Sequence, residues 1–207
     1  MKIITILGAR PQFIKAGTVS RVIQSYTEIE EIIVHTGQHY DVNMSDVFFK
    51  QMNIPKPDYF LGVKAKSHAS MTGQMMEKIE EVVIIENPDW ILVYGDTNST
   101  LAGAIVASKL HIKLAHIEAG LRSYNLKMPE EVNRIITDRL STLLFCPTKK
   151  ATENLELEGY GKMPSTIINT GDVMKDGADF YSTLAQRPSK KIEGEYHLCT
   201  IHRAENT

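Results

Sequence analysis

Short apolar, mostly β-branched runs alternate along this chain with longer stretches in which apolar and polar residues recur at helical spacing. The runs Lys2–Leu7, Glu31–Thr36, Trp90–Tyr94, Lys113–Ile117, Leu143–Cys146, Thr166–Asn169 and Tyr196–Ile201 read as strands. The intervening segments Ile14–Gln24, Ala69–Glu86, Thr100–Leu110, Glu130–Ser141, Lys149–Glu158 and Val173–Gln186 read as helices. Strands that alternate with helices of this length predict right-handed βαβ crossovers, hence an α/β fold whose parallel sheet is buried on both faces. Ligands of such folds gather at the carboxyl ends of the strands, beside helix N-termini. The polar, Gly-containing segments stand at those ends: Gly8-Ala-Arg-Pro, Thr36-Gly-Gln-His, Gly95-Asp-Thr-Asn and Glu118-Ala-Gly-Leu-Arg.

Near the chain end the pattern changes. The polar stretch from Gln186 to Glu195, with Pro188 and Gly194, reads as a linker. One strand and a polar tail follow it, which predicts a first domain over residues 1–187. Residues 188–207 then form a linker and the first strand of a second domain that is missing from the chain.

Composition narrows the classes of partner. The 207 residues are 43% hydrophobic and 23% charged, with a net charge of −2, as expected of a soluble protein with a substantial core. Acids and bases are mixed along the chain, so neither nucleic acid nor an anionic membrane has a basic footprint to bind. Any bound anion must rely on a few local cations. Cys146 and Cys199 sit at strand-like positions without metal-ligand spacing, which predicts buried free thiols in a reducing compartment and no metal site. The start lacks a signal-peptide pattern, and no run has the length of a membrane span, so a cytoplasmic protein is expected.

Candidate chemistry sits in a few segments. In Gly8-Ala-Arg-Pro-Gln-Phe-Ile-Lys15, Pro11 suits a first helical position, and the helix it opens favours an anion. Arg10 and Lys15 add cations, although a plain turn with two solvated cations explains the same residues. The dinucleotide G-x-G-x-x-G pattern and the Walker A motif are absent. After Tyr94-Gly95, one of Thr97, Asn98 or Ser99 can cap the next helix, and Asp96 either joins that cluster or faces a ligand. In Ala115-His-Ile-Glu-Ala-Gly-Leu-Arg-Ser123 the strand alternation puts His116 and Glu118 on one side, with His116 expected to be buried and hydrogen-bonded. Arg122 reads as a phosphate ligand or, preferably, as the partner of Glu118. Pro129-Glu-Glu-Val-Asn-Arg134 opens a helix with acids placed as the dipole prefers, and Arg134 can pair with Glu130 four residues back. His39 and Asp41 fit either a site or an ordinary loop. His202 and Arg203 have no local structural reason for their position. Carboxylates, a histidine and cations together are what proton transfer beside a phosphate requires.

These segments together resemble the UDP-N-acetylglucosamine 2-epimerase family. The family's motifs stand in this chain, in its order and spacing, as GARPQFIK (8–15), GDTNST (95–100), HIEAGLR (116–122), PEEVNR (129–134), NTGDVMKD (169–176) and IHRAEN (201–206). The resemblance implies a Rossmann-like N-terminal half of a GT-B-like two-domain fold, a UDP-sugar substrate, a homodimer at full length, and no nicotinamide or metal. It implies inversion at C2 of the sugar by elimination of UDP to a 2-acetamidoglucal, followed by re-addition. Carried over by position, Asp96, Glu118, Glu130 and His202 match catalytic residues, and Arg10, Lys15 and Arg134 match ligand-binding ones. Glu131 does not match. Ala9 and Gln12-Phe13 depart from the Thr and Glu-Ala of the best-known members. With Gly171-Asp-Val-Met174, this looks closer to the branch acting on UDP-2,3-diacetamido-2,3-dideoxyglucuronate. The 207-residue form is expected to be inactive alone. Two other classes remain: a GT-B glycosyltransferase half, and a non-catalytic nucleotide-sugar-binding module.

Overall fold

The computed structural model describes residues 1–37, 55–65, 67–185, 194–197 and 199. Its elements are β1 (Lys2–Leu7), α1 (Arg10–Ile23), β2 (Glu30–His35), β3 (Tyr59–Phe60), α2 (His68–Glu86), β4 (Trp90–Tyr94) and α3 (Asn98–Lys109). They continue as β5 (Lys113–Ile117), α4 (Pro129–Leu140), β6 (Leu143–Cys146), α5 (Lys149–Leu157), a 3-10 turn (Tyr160–Lys162), β7 (Thr166–Asn169) and α6 (Val173–Ser182). Seven strands form one sheet in the order β3-β2-β1-β4-β5-β6-β7, every pairing parallel. The α/β expectation holds, and five of the expected strands have the predicted bounds.

Continuous apolar runs are required because both faces of the sheet are covered. Ile4, Ile6, Ile91, Val93 and Leu114 meet Met75, Ile79 and Val83 of α2 and Ala104 and Ala107 of α3 on one face. On the other, Leu7, Ile33, Leu92, Tyr94 and Ala115 meet Phe13 and Ala16 of α1. A third cluster seats α5, through Ala151 and Leu155, against Leu144 and Cys146 of β6. Helix α6 lies along α1, where the Arg21 guanidinium stands 3.4 Å from the Phe180 ring centroid.

Two expectations change, and one further strand is present. Tyr59–Phe60 pairs with β2 as an edge strand too short to show a sequence period. Tyr196, His197 and Cys199 are described and carry no strand, and the rest of the expected final strand lies outside the described residues. Cys146 is buried, as expected, but Cys199 is exposed. Among the described residues no helix is long and apolar enough to cross a membrane.

His35 closes β2 inside the core, 1% exposed, with its ring 4.8 Å from that of Phe13 and 5.0 Å from that of Phe60. Its Nδ1 accepts the Gly37 N–H at 2.8 Å, and burial lowers its pKa to about 4. The folded state thus disfavours the proton that the unfolded chain takes up near pH 6.5. This stabilisation is complete above pH 6.5 and is lost as pH falls toward 4, amounting to about 3 kcal/mol. Urea unfolding at pH 7 and pH 4.5 should show that loss in the wild type and a clearly smaller one in His35→Asn; equal losses would contradict the assignment.

Candidate functional site

The strand order reverses direction between β1 and β4. The crossover after β1 runs to β2 on one side, and the crossover after β4 runs to β5 on the other. The carboxyl ends of β1 and β4 therefore open a crevice, with β5 alongside. Six of the seven candidate site residues come from the loops and the first two turns of the helices that follow β1, β4 and β5.

The two loops flanking the crevice are tied by Gln12, in the first turn of α1. Its side-chain oxygen accepts the N–H groups of Gly8 (2.8 Å) and Ala9 (3.0 Å). Its side-chain amide donates to the Tyr94 carbonyl (2.8 Å) and the Thr100 hydroxyl (3.0 Å). Gln12 is 1% exposed. The sequence marks it only as a departure from the family, because a four-way amide one turn into a helix leaves no spacing signal. Gln12→Ala strands two backbone donors and should cost about 2–3 kcal/mol. Chemical denaturation would check this, and a loss below about 0.5 kcal/mol would contradict it.

On the β5 side, Glu118 receives the Lys15 ammonium of α1 in a close ion pair. Glu118 has left the strand, with φ +75°, a backbone region that is sparsely populated for residues with a side chain and that concentrates at functional sites. The turn sends its carboxylate to α1, whereas His116 reaches the opposite face toward α4. The expectation that His116 and Glu118 share a side is therefore wrong, because the alternation stops at Ile117. The partner of Glu118 is Lys15, not Arg122. Arg122 binds Asp138 (2.7 Å) and Glu158 (2.6 Å), and those contacts outweigh the burial that would otherwise lower its basicity.

On the β4 side, Thr97 caps α3, its hydroxyl accepting the Thr100 N–H at 3.3 Å. That leaves Asp96 for Arg134 of α4, at 2.5 Å. Arg134 also reaches Glu131 at 3.3 Å, and the expected pairing with Glu130 gives way to these two. Glu131 is 1% exposed and accepts the N–H groups of Ser123 and Tyr124. Burial alone would raise its pKa, but those donors and Arg134 outweigh it and hold the carboxyl below its ordinary value. Glu131 thus fixes the loop between β5 and α4, while the neighbouring Glu130 remains partly exposed in the first turn.

The structure brings Lys15 to Glu118 and Asp96 to Arg134 along one edge of the sheet. Arg10 begins α1 and is exposed there. His202, Arg203, His39 and Asp41 lie outside the described residues. No group of three or more metal-ligating side chains forms among the described residues. A groove of about 490 Å³ runs between α1 and α6 from Met1 to Glu118. Its walls are apolar, lined by Ile3, Leu92, Ile117 and Phe145 among others, so a charged ligand is better served by the ion-paired edge.

Residues 21–207 match the family described as UDP-N-acetylglucosamine 2-epimerase. The UDP-2,3-diacetamido-2,3-dideoxy-D-glucuronate 2-epimerase of Pseudomonas aeruginosa is 56% identical over 208 residues, covering 100% of this chain and 59% of that protein. A UDP-N-acetylglucosamine 2-epimerase of Methanococcus maripaludis is 45% identical, covering 100% of this chain and 57% of its own length. The crystal structure of the Methanocaldococcus jannaschii UDP-GlcNAc 2-epimerase in complex with UDP-GlcNAc and UDP superposes with a TM-score of 0.86 at 43% identity. That match covers 91% of this chain and 51% of the solved one. The fold is accordingly the Rossmann-like half of a GT-B-like structure. The chain spans under two thirds of the length of the relatives it matches.

Proposed function

Because this chain belongs to the UDP-N-acetylglucosamine 2-epimerase family, we propose that the protein, at the length of its relatives, inverts C2 of a UDP-2-acetamido sugar. The observation that carries the proposal is the pair of carboxylate–cation contacts, Glu118 with Lys15 and Asp96 with Arg134, side by side at the switch point of the sheet.

The chemistry asks for both halves of each pair. C2–H is not α to a carbonyl, so its removal must be coupled to departure of the anomeric oxygen with UDP. A base takes the proton, the C2 electrons form the C1=C2 bond of the 2-acetamidoglucal, and the C1–O electron pair leaves on the diphosphate. UDP then attacks C1 while a proton returns to C2 from the other face. Cations that meet the leaving diphosphate supply half of this catalysis. An arriving diphosphate competes for Lys15 and Arg134, and a carboxylate released from its cation is the stronger base. Asp96, Glu118, Glu130 and His202 form the proposed acid–base set, with Arg10, Lys15 and Arg134 as the anion ligands. The family likeness also carries the homodimer, the cytoplasmic setting, the second domain beyond residue 187 and the inactivity of the 207-residue form into the proposal.

UDP-N-acetylglucosamine is one substrate reading. UDP-2,3-diacetamido-2,3-dideoxyglucuronate is the second, favoured by the 56% identity to the Pseudomonas protein. Incubating the full-length protein with each donor in D2O tests both, followed by NMR of the sugar protons. Deuterium entering C2 as the C2 epimer forms from one donor identifies the reaction and the substrate. No exchange with either donor sinks the epimerase reading and brings forward a glycosyltransferase or a binding module, neither of which has reason to exchange that proton.

A further inference from the structure

Beneath the site lies a buried polar cluster that the proposed reaction does not use. His116 is 0% exposed, and both ring nitrogens face oxygen: Nδ1 lies 2.7 Å from Asp138 Oδ1, and Nε2 lies 2.7 Å from the Gly95 carbonyl oxygen. A backbone carbonyl can only accept, so Nε2 must bear a proton. Asp138 already accepts on its other oxygen, from the Arg122 guanidinium at 2.7 Å and the Gly120 N–H at 3.1 Å. A carboxylate engaged in that way is ionised and can only accept from Nδ1 as well. A neutral ring would set a bare nitrogen against an oxygen at 2.7 Å.

The cluster opens to solvent at one end. Two carboxylates, Asp138 and Glu158, hold one guanidinium, Arg122, whose Nε and second terminal nitrogen reach Glu158 at 2.6 and 2.8 Å. Burial pushes the neighbouring Cys146 thiol up to about 11 and raises the Tyr160 hydroxyl, so neither adds charge at neutral pH. Glu158 is exposed, so its charge is carried by water, and it is the contacts of the His116 ring that assign its protons.

We propose that His116 is a positioning residue, a doubly protonated imidazolium that clamps the Gly95–Asp96 turn to Asp138 and, through it, to the turn that carries Glu118. The connections are short. Gly95 turns at φ +62° and donates its N–H to Ile117 at 3.0 Å, so the peptides on both sides of it are held. Asp138 grips Gly120, two residues beyond Glu118. One buried carboxylate therefore anchors the backbones of both candidate site carboxylates, Asp96 and Glu118. The clamp stands on its own geometry, while its catalytic consequence rests on the epimerase reading.

Two measurements test it. In the uniformly 15N,13C-labelled 207-residue chain at pH 7, the His116 ring, assigned through its own backbone, should show two N–H groups with one-bond couplings. A ring with a single N–H overturns the proposal, and no substitution is needed to read it. In the full-length protein, Asp138→Asn should keep the side chain's shape and remove its charge. The second ring N–H should then disappear, and kcat should fall on the order of 10²-fold, the cost of a small misplacement of reacting groups. The KM should stay within about threefold of wild type, because no binding group is removed. A folded Asp138→Asn protein with wild-type kcat would reduce the cluster to a structural role and overturn the proposal. Absence of epimerisation in the wild type, with two ring N–H groups present, would sink the functional reading and leave the clamp standing.

Discussion

Glu118→Gln is expected to lower epimerisation by the full-length protein by about 10²- to 10⁴-fold, the range of a lost general acid or base. UDP should bind at least as well as to wild type. The substitution keeps size and hydrogen-bonding capacity but removes the charge, so the strained turn at φ +75° need not rearrange. Lys15, now facing a neutral amide, gains freedom to meet the diphosphate. Turnover measured by NMR and a UDP Kd from calorimetry separate the two effects. A kcat within about threefold of wild type would remove Glu118 from the acid–base set. A parallel collapse of kcat and UDP affinity would assign the residue to holding the site together.

The second large effect concerns stability. Gly120 has φ +78°, and a Cβ there would stand 2.4 Å from the Ala151 carbonyl oxygen and 2.9 Å from its carbon. Both atoms belong to the backbone of α5 and cannot swing aside. Gly120 also donates to Asp138 and accepts from the Asn154 side chain at 3.0 Å, so any shift loosens two buried bonds. A left-handed alanine costs roughly 1–2 kcal/mol before any clash. Displacing α5 brings the total for Gly120→Ala to about 4 kcal/mol or more, the range of severe core changes. For a domain of this size that corresponds to a Tm lower by roughly 8–16 °C. Gly73→Ala in α2, where a Cβ meets nothing within 4 Å, serves as the control and should be neutral or slightly stabilising. A Gly120→Ala protein melting within about 3 °C of wild type would contradict the account.

What is legible in the sequence, and what is not, follows from the length scale of each interaction. β1, β4, β5 and β6 have the expected bounds because strands in the covered middle of the sheet are mostly apolar, whereas β7, an exposed edge strand, is marked by its short β-branched run. Tyr59–Phe60 is not legible, since two residues show no period and their strand character comes from pairing with β2. The candidate carboxylates and cations can be picked out by type at strand ends, yet their partners cannot. Lys15 and Glu118 are 103 residues apart, and Arg134 and Asp96 are 38 apart. Only the strand order brings them together, and that order is not written locally. Closeness in sequence pairs Arg122 with Glu118, but the left-handed turn at Glu118 carries that carboxylate away and leaves Arg122 to Asp138 and Glu158. His116 is buried and hydrogen-bonded, as its place in an apolar strand predicts. That both its nitrogens face acceptors depends on the positions of α4 and the Gly95 turn, which no local pattern encodes.

The central claim is that the sugar–diphosphate bond breaks and re-forms at this edge. It is tested most directly by placing 18O in the oxygen that bridges C1 and the β-phosphate of the nucleotide sugar. If UDP leaves and rotates before re-adding, turnover by the full-length protein will move the label into non-bridging β-phosphate oxygens as the epimer appears. Epimer formed with every label still in the bridge would contradict elimination, and with it the proposed role of the paired carboxylates and cations.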